Sequence, residues 1–196
     1  MSATIAPENK NAATKVITGM ARLSYAHIWV PSSMSDNDPE KYSVSVLIPK
    51  SDARTVAAIN KAVNAAIEAG ISSKFGGKRP PKLKLPLRDG DAEKPDDPTY
   101  RGHYFVNATS RTRPGIVDVN RVPIEDPEQV DSGDYARVSV NFYAFNTRGN
   151  QGVACGLNNI MKLKTGTRLS GRTPAEDDFE DGFDMSAFMD GDDFMS

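Results

Sequence analysis

The chain has little of what most catalytic or metal-binding proteins use. It contains one cysteine, Cys155, and two histidines, His27 and His103. A single cysteine forms no internal disulfide and excludes a Cys-type structural zinc site. Neither histidine stands in a metal-ligand spacing, so no metal and no other cofactor is expected. There is no P-loop, no GxSxG and no dinucleotide fingerprint. No apolar run approaches the ~20 residues of a transmembrane helix. Residues 1–14 (MSATIAPENKNAAT) lack a basic region followed by an apolar stretch, so no signal peptide is expected. These absences describe a soluble, intracellular, non-enzymatic protein.

Two further absences are regional. Residues 174–196 (PAEDDFEDGFDMSAFMDGDDFMS) contain no Lys or Arg, and residues 71–88 (ISSKFGGKRPPKLKLPLR) contain no acid. The formal net charge of −2 therefore hides an asymmetry: all 24 basic residues precede position 174, whereas nine of the 26 carboxylates follow it. A basic body suits a polyanion, and an acidic end suits either competition with that polyanion or recruitment of a basic partner. The end also carries Phe179, Phe183, Phe188 and Phe194 among acids such as Asp177, Asp178, Asp192 and Asp193. Exposed phenylalanines in acid suit docking into basic-rimmed apolar pockets. The plainer alternative is a disordered, solubilising end. The organisation expected is a flexible N-terminus over 1–14, a folded domain over 15–173 and an acidic disordered tail over 174–196.

Within the body, strands are read from alternation. In MARLSYAHIWV (20–30), Ala21, Leu23, Tyr25, His27 and Trp29 would share one face. In KYSVSVLIP (41–49), Tyr42, Val44, Val46 and Ile48 face one way. GHYFVNATS (102–110) alternates Tyr104, Val106 and Ala108 with His103, Phe105 and Asn107. DYARVSVNFYAFN (134–146) sets Ala136, Val138, Val140, Phe142 and Ala144 against Tyr135, Arg137, Ser139, Asn141, Tyr143 and Phe145. GVACGLNNIMKLK (152–164) completes at least five strands. One helix is expected over 52–69: Val56, Ile59, Val63, Ala66 and Ile67 recur at spacings of three and four, with Ser51 as N-cap and Gly70 just beyond its end. The fold class expected is mainly β, with one main helix and long loops.

Bases stack on aromatic rings while cations track phosphates, so interleaved aromatics and cations mark a surface for single-stranded nucleic acid. The face carrying Tyr135, Arg137, Tyr143 and Phe145 fits that pattern, with a second core layer as its alternative. Lys74, Lys78, Arg79, Lys82, Lys84 and Arg88 form a basic run whose Gly and Pro content excludes a regular helix. It could fold over a phosphate backbone as a flap, helped by Arg111 and Arg113, or be a solvated loop. Asp89 and Asp91 in RDGD could hold a divalent ion as in a nuclease, although an acidic turn accounts for them as well. Cys155, in a strand pattern, is expected to be buried and inert.

Four segments carry a family resemblance: PLRDGD (86–91), YRGHYFVNATS (100–110), SGDYARVSVNFYAFN (132–146) and GNQGVACGLNNIMKL (149–163). With the acidic tail, they make the chain from residue 15 onward resemble the bacteriophage single-stranded DNA-binding proteins of the Enc-phage type. The resemblance implies an OB-fold-like antiparallel β-barrel. It also implies sequence-tolerant binding and protection of single-stranded DNA in phage replication, recombination and repair, in the cytoplasm of the infected bacterial host. An OB-fold usually places its helix after the third strand, whereas the helix here follows the second strand read from the sequence. Proteins of this class commonly end in an acidic tail with a terminal aromatic; here Phe194 is followed by Met195 and Ser196.

On this reading Tyr135, Arg137, Tyr143 and Phe145 join Phe105 and His103 on one DNA-binding face. Lys74, Lys78, Arg79, Lys82, Lys84, Arg111, Arg113 and Arg148 contact phosphates. The tail fills the basic groove when DNA is absent and recruits replication or recombination proteins when displaced; a homodimer is left open. The rival readings are a structural or assembly protein whose tail mimics DNA, and a metal-dependent nuclease.

Overall fold

A computed structural model of the chain describes residues 12–169 and Ser186. The tail expected over 174–196, including Asp177, Asp178, Phe179, Phe183, Phe188, Asp192, Asp193 and Phe194, lies outside the described residues save for Ser186, as do residues 1–11 of the expected flexible N-terminus.

The alternating segments form strands. In chain order the elements are β1 (Lys15–Ile17), β2 (Ala21–Ser32), β3 (Lys41–Pro49), α1 (Ala53–Ser73), β4 (Arg88–Asp89), α2 (Gly90–Glu93), β5 (His103–Ser110), β6 (Gly115–Val117), β7 (Tyr135–Thr147) and β8 (Asn150–Lys164). Five of them close on themselves: β2 pairs with β3, β3 with β5, β5 with β8, β8 with β7, and β7 with β2. Every seam of this ring is antiparallel except β5–β8, which is parallel. β1 runs on the far side of β7 from β8 and β6 continues β5 along β8, so each extends a ring strand past a break. The mainly β, OB-fold-like architecture expected from the sequence is the one that forms, and α1 does lie between the second and third ring strands.

The core follows from the alternation. Leu23, Val44, Val46, Ile48, Val106, Ala108, Val138, Val140, Phe142 and Ile160 all point into the ring and are buried. The apolar stripe of α1, with Ile59, Ala62, Val63, Ala66 and Ile67, packs into the same cluster. Burying its three β-branched side chains stabilises the fold by roughly 5–9 kcal/mol, an upper figure for an extended reference chain.

The helix limits differ from those read in the sequence. Asp52, not Ser51, is the N-cap: its Oδ1 accepts from Thr55 N at 3.1 Å, and Thr55 Oγ1 donates to its Oδ2 at 2.6 Å. Gly19 N in turn donates to Thr55 Oγ1 at 3.0 Å, tying the helix start to the β1–β2 break. At the other end α1 passes through Gly70 and stops at Ser73. Gly70 is there for contact rather than for termination: a Cβ at that position would lie 2.4 Å from Ala144 Cβ and 3.0 Å from Phe75.

The basic run that follows α1 is held to the ring. Asn146 Nδ2 donates to Lys74 O at 3.1 Å, Lys84 N to Gln151 O at 3.0 Å, and Val153 N to Lys84 O at 2.9 Å. β4 then pairs with β5 through Arg88–Phe105. The run fills the space where β5 and β8 diverge from their short pairing at Ala108–Cys155 and Thr109–Gly156. Burial pushes the Cys155 thiol up, which leaves it protonated and inert, as expected of it.

Candidate nucleic-acid interface

One extra residue in β2 shapes the site. Ser24 pairs with Ser45 and His27 with Ser43, so Tyr25 and Ala26 together oppose Val44. This is a β-bulge, and Tyr25 adopts a left-handed φ of 47° within it. The bulge reverses the facing of the strand. Ala21 and Leu23 point into the core, as does Ile28 five residues on, whereas Tyr25 and His27 turn outward and are exposed. The single face expected for Ala21 through Trp29 is thus split.

The outward sides of β2, β3 and β5 form a groove of about 480 Å³. Its floor is polar where Ser43, Ser45, Asn107 and Thr109 alternate with core residues, and Ser45 Oγ donates to Asn107 Oδ1. One end is aromatic and cationic. Phe105 and Tyr100 meet edge to face at 5.1 Å, and Tyr100 OH donates to Ser24 Oγ at 3.3 Å. Arg88 lies 5.1 Å from the Phe105 ring centroid and is steadied by Glu93 at 2.9 Å from its Nε. The Lys94 ammonium sits between Tyr25 and Tyr100, 5.6 and 5.5 Å from their centroids. Phe105 and Tyr100 are buried and support the groove, whereas Tyr25 is 59% exposed and presents an open ring. The other end opens at Ser32, the last residue of β2, and at Ser33 and Met34 of the β2–β3 loop. Beyond Tyr25, a neighbouring hollow carries Asp97 and Asp131, whose charge repels phosphate.

The residues singled out in the sequence fall into three places. Phe105 lines the groove, while His103 is half-buried at the start of β5 with its Nδ1 2.7 Å from Arg101 O. Tyr135, Arg137, Tyr143 and Phe145 do not share that surface. They lie on β7, which is not a neighbour of β5 in the ring, and face outward elsewhere. Tyr135 is flanked by Arg22 and Lys164, 5.5 and 4.7 Å from its centroid, and Arg137 Nε donates to Thr18 O at 3.0 Å. Tyr143 is 45% exposed and Phe145 half-buried. The cations are spread more widely. Lys74, Lys78, Arg79, Lys82 and Lys84 are exposed along the stapled run, and Arg111 is exposed after β5. Arg113 covers Trp29 at 4.8 Å and lies 3.8 Å from Glu125. Arg148 occupies the β7–β8 turn with φ 50°.

The sequence reading missed Tyr25, His27, Lys94 and the small polar floor, and it set Arg88 in the basic run rather than beside Phe105. Tyr25 and His27 were hidden because the bulge breaks the period of two. Lys94 sits in a segment that reads as an acidic turn, and only the fold sets it against two rings.

Asp89 and Asp91 are committed to another partner. Lys50 Nζ lies 2.7 Å from Asp89 Oδ1 and 2.8 Å from Asp91 Oδ2, and Asp91 Oδ1 accepts from Gly102 N at 3.1 Å. Hydrogen bonds from Lys50 hold both carboxyls below the usual carboxylate range, and the same contacts push the Lys50 ammonium up. The ammonium occupies the place a divalent ion would need, so this pair is a clip between the end of β3 and β4–α2. No cluster of three or more His, Cys, Asp or Glu suited to a metal occurs among the described residues. No helix among them is long and apolar enough to cross a membrane.

Residues 14–193 match a family described as Enterobacter phage Enc34, ssDNA-binding protein. A curated relative, protein p50 of Acyrthosiphon pisum secondary endosymbiont phage 1, is 27% identical over 178 residues, covering 85% of this chain and 93% of the relative. Among solved structures, the single-stranded DNA-binding protein from bacteriophage Enc34 in complex with ssDNA superposes with a TM-score of 0.68 at 24% identity, covering 84% of this chain and 97% of that one. The gp2.5 single-stranded DNA-binding protein of bacteriophage T7 superposes with a TM-score of 0.58 at 19% identity, covering 87% and 94%. At these identities the structural likenesses show the fold.

Proposed function

Because the chain belongs to the family of the Enterobacter phage Enc34 ssDNA-binding protein, we propose that it binds single-stranded DNA without catalysis, in the groove on the outward faces of β2, β3 and β5. The observation that carries this reading is the exposed Tyr25 ring, pushed out by the bulge beside Lys94 at the lip of a groove with a polar floor. A base stacks on Tyr25, a contact worth roughly 1–3 kcal/mol and indifferent to base identity. Lys94 and Arg88 neutralise phosphates. Ser43, Ser45 and Thr109 offer hydroxyls to bases or sugars, and Asn107 offers an amide whose Oδ1 already accepts from Ser45.

The further assignments are proposals of the same reading. Residues 15–173 form the binding domain, between a flexible segment over 1–14 and the acidic tail over 174–196. Leu169, whose N donates to Ser132 O at 3.1 Å, lines the hollow beside Tyr25 and His27, so the described body ends close to the groove. A segment with nine carboxylates tethered there competes with DNA at high local concentration. Once displaced, it is free to recruit replication, recombination or repair proteins in the cytoplasm of the infected host.

Fluorescence titration of labelled poly-dT at two salt concentrations, with and without magnesium, tests the reading. Binding should weaken with salt, with a log–log slope of about −0.7 per phosphate contacted, and the strand should stay intact on a gel. Absence of binding at moderate salt would overturn it, and magnesium-dependent cleavage would restore the nuclease reading. Deleting 174–196 should tighten binding at low salt; unchanged affinity and slope would remove the competing role of the tail.

A further inference from the structure

β1, β7 and β8 contain no carboxylate. The cross-strand pairs set their outward side chains in one sheet face: Lys15 opposite Asn141, Ile17 opposite Ser139, Arg137 opposite Met161, and Tyr143 opposite Ala154. Arg22 of β2 and Lys164 of β8 flank Tyr135 where this face meets β2. Among the described residues, the ion pairs include none of Lys15, Arg22, Arg137 and Lys164. Arg22 donates to Gly133 O and Thr167 O, and Arg137 Nε to Thr18 O, but these carbonyl partners are neutral, so the four charges are not cancelled by a carboxylate. Tyr143 is 45% exposed opposite the small Ala154, and Ile17 is 54% exposed opposite Ser139. From Tyr135 to Tyr143 the face runs about 26 Å, at roughly 3.3 Å per residue.

The open Tyr143 ring, the cation-flanked Tyr135 ring and cations outside any carboxylate pair are the chemistry of a single-stranded nucleic acid surface. This face is separate from the β2–β3–β5 groove, because β7 and β5 are not neighbours in the ring. We propose that the outward face of β1, β7 and β8 is a second contact surface for single-stranded DNA, reached by strands long enough to extend beyond the groove. The proposal rests on the groove being the primary site. β2 links the two, with Arg22 on one surface and Tyr25 and His27 on the other. One protein then covers more nucleotides than the groove alone holds, and a long strand is held more tightly than a short one through the gain in effective concentration.

The test uses the full chain and two separate variants, Tyr143→Ala and Arg137→Gln. Each is titrated with an oligo-dT of about eight nucleotides, within the ~4–16 that one OB-type face covers, and with poly-dT. Short-oligonucleotide affinity should stay within about twofold, since exposed charges beyond a Debye length are screened. Poly-dT affinity should fall about tenfold for Tyr143→Ala, and fewer nucleotides should be occluded per protein at saturation. For Arg137→Gln the salt slope on poly-dT should become shallower by about 0.7. Unchanged poly-dT affinity, occlusion and slope would overturn the proposal. An equal loss on both lengths would overturn it too, by making the face part of the primary site or of the fold. A rise in affinity would mean that the acidic tail occupies the face instead. Failure of the groove reading registers separately, as retention of short-oligonucleotide binding by Tyr25→Ala.

Discussion

The Lys94 ammonium lies 5.6 Å from the centroid of the Tyr25 ring, and Tyr25 holds that ring outward from a left-handed backbone position. Sequence distance and local charge hide this pairing, since Lys94 stands among Glu93, Asp96 and Asp97. The contact joins a stacking surface to a phosphate partner at one point.

Tyr25→Gly separates function from folding at this point. A non-glycine residue at φ 47° carries left-handed strain of roughly 1–2 kcal/mol, which glycine removes. The ring is mostly exposed, so little burial is lost. The variant should melt about 2–4 °C higher per kcal/mol gained and bind poly-dT about tenfold more weakly. Thermal melts and fluorescence titration check both arms. A stable variant with wild-type affinity would remove Tyr25 from the interface.

Gly70→Ala reverses the usual helix rule. In an open helix the change would stabilise by about 1 kcal/mol. Here the new methyl would meet Ala144 Cβ at 2.4 Å and the Phe75 ring at 3.0 Å. Forced repacking of α1 against β7 should produce a net loss of about 1–2 kcal/mol, measured by urea denaturation. Ala144→Gly in the same chain should recover part of it.

The Lys50 clip predicts an acid-side dependence of stability. Asp89 and Asp91 have folded pKa values depressed chiefly by hydrogen bonds from Lys50. Their contribution is therefore present above the unfolded carboxylate value of about 4 and is lost as pH falls through the lower folded values. In Lys50→Met the melting temperature should be lower at neutral pH, and the gap from wild type should close as the pH falls below that range. A gap independent of pH would mean that packing rather than charge holds the clip.

Arg148 and Gly149 both have positive φ in the β7–β8 turn, the geometry that favours Asn-Gly. Arg148→Asn should stabilise the protein by roughly 0.5–1 kcal/mol. If Arg148 contacts phosphate, the salt slope should also fall by about 0.7. A gain in stability with an unchanged slope would leave Arg148 a turn residue only.

Local pattern made much of the fold legible. The periods of two in 41–49, 102–110 and 134–146 became β3, β5 and β7, because alternation fixes which side chains can be buried together. The stripe from Val56 to Ile67 became α1 for the same reason at the helical period. The site was less legible. Phe105 was identified, but it serves as buried support, and the β7 aromatics lie on a different outward face. His27 and Arg88 gave no sign of sharing a groove.

The sequence by itself determined the mainly β class, the charge division between body and tail, and the strand faces that pack the core. These depend on composition and on spacing along the chain. The tertiary structure decided where the outward faces point. A single inserted residue at Tyr25–Ala26 reversed β2, and closure of the ring placed β5 and β7 apart. Two carboxylates that could have held a metal were instead bound to Lys50. Each of these depends on contacts between segments far apart in sequence, which local spacing does not encode.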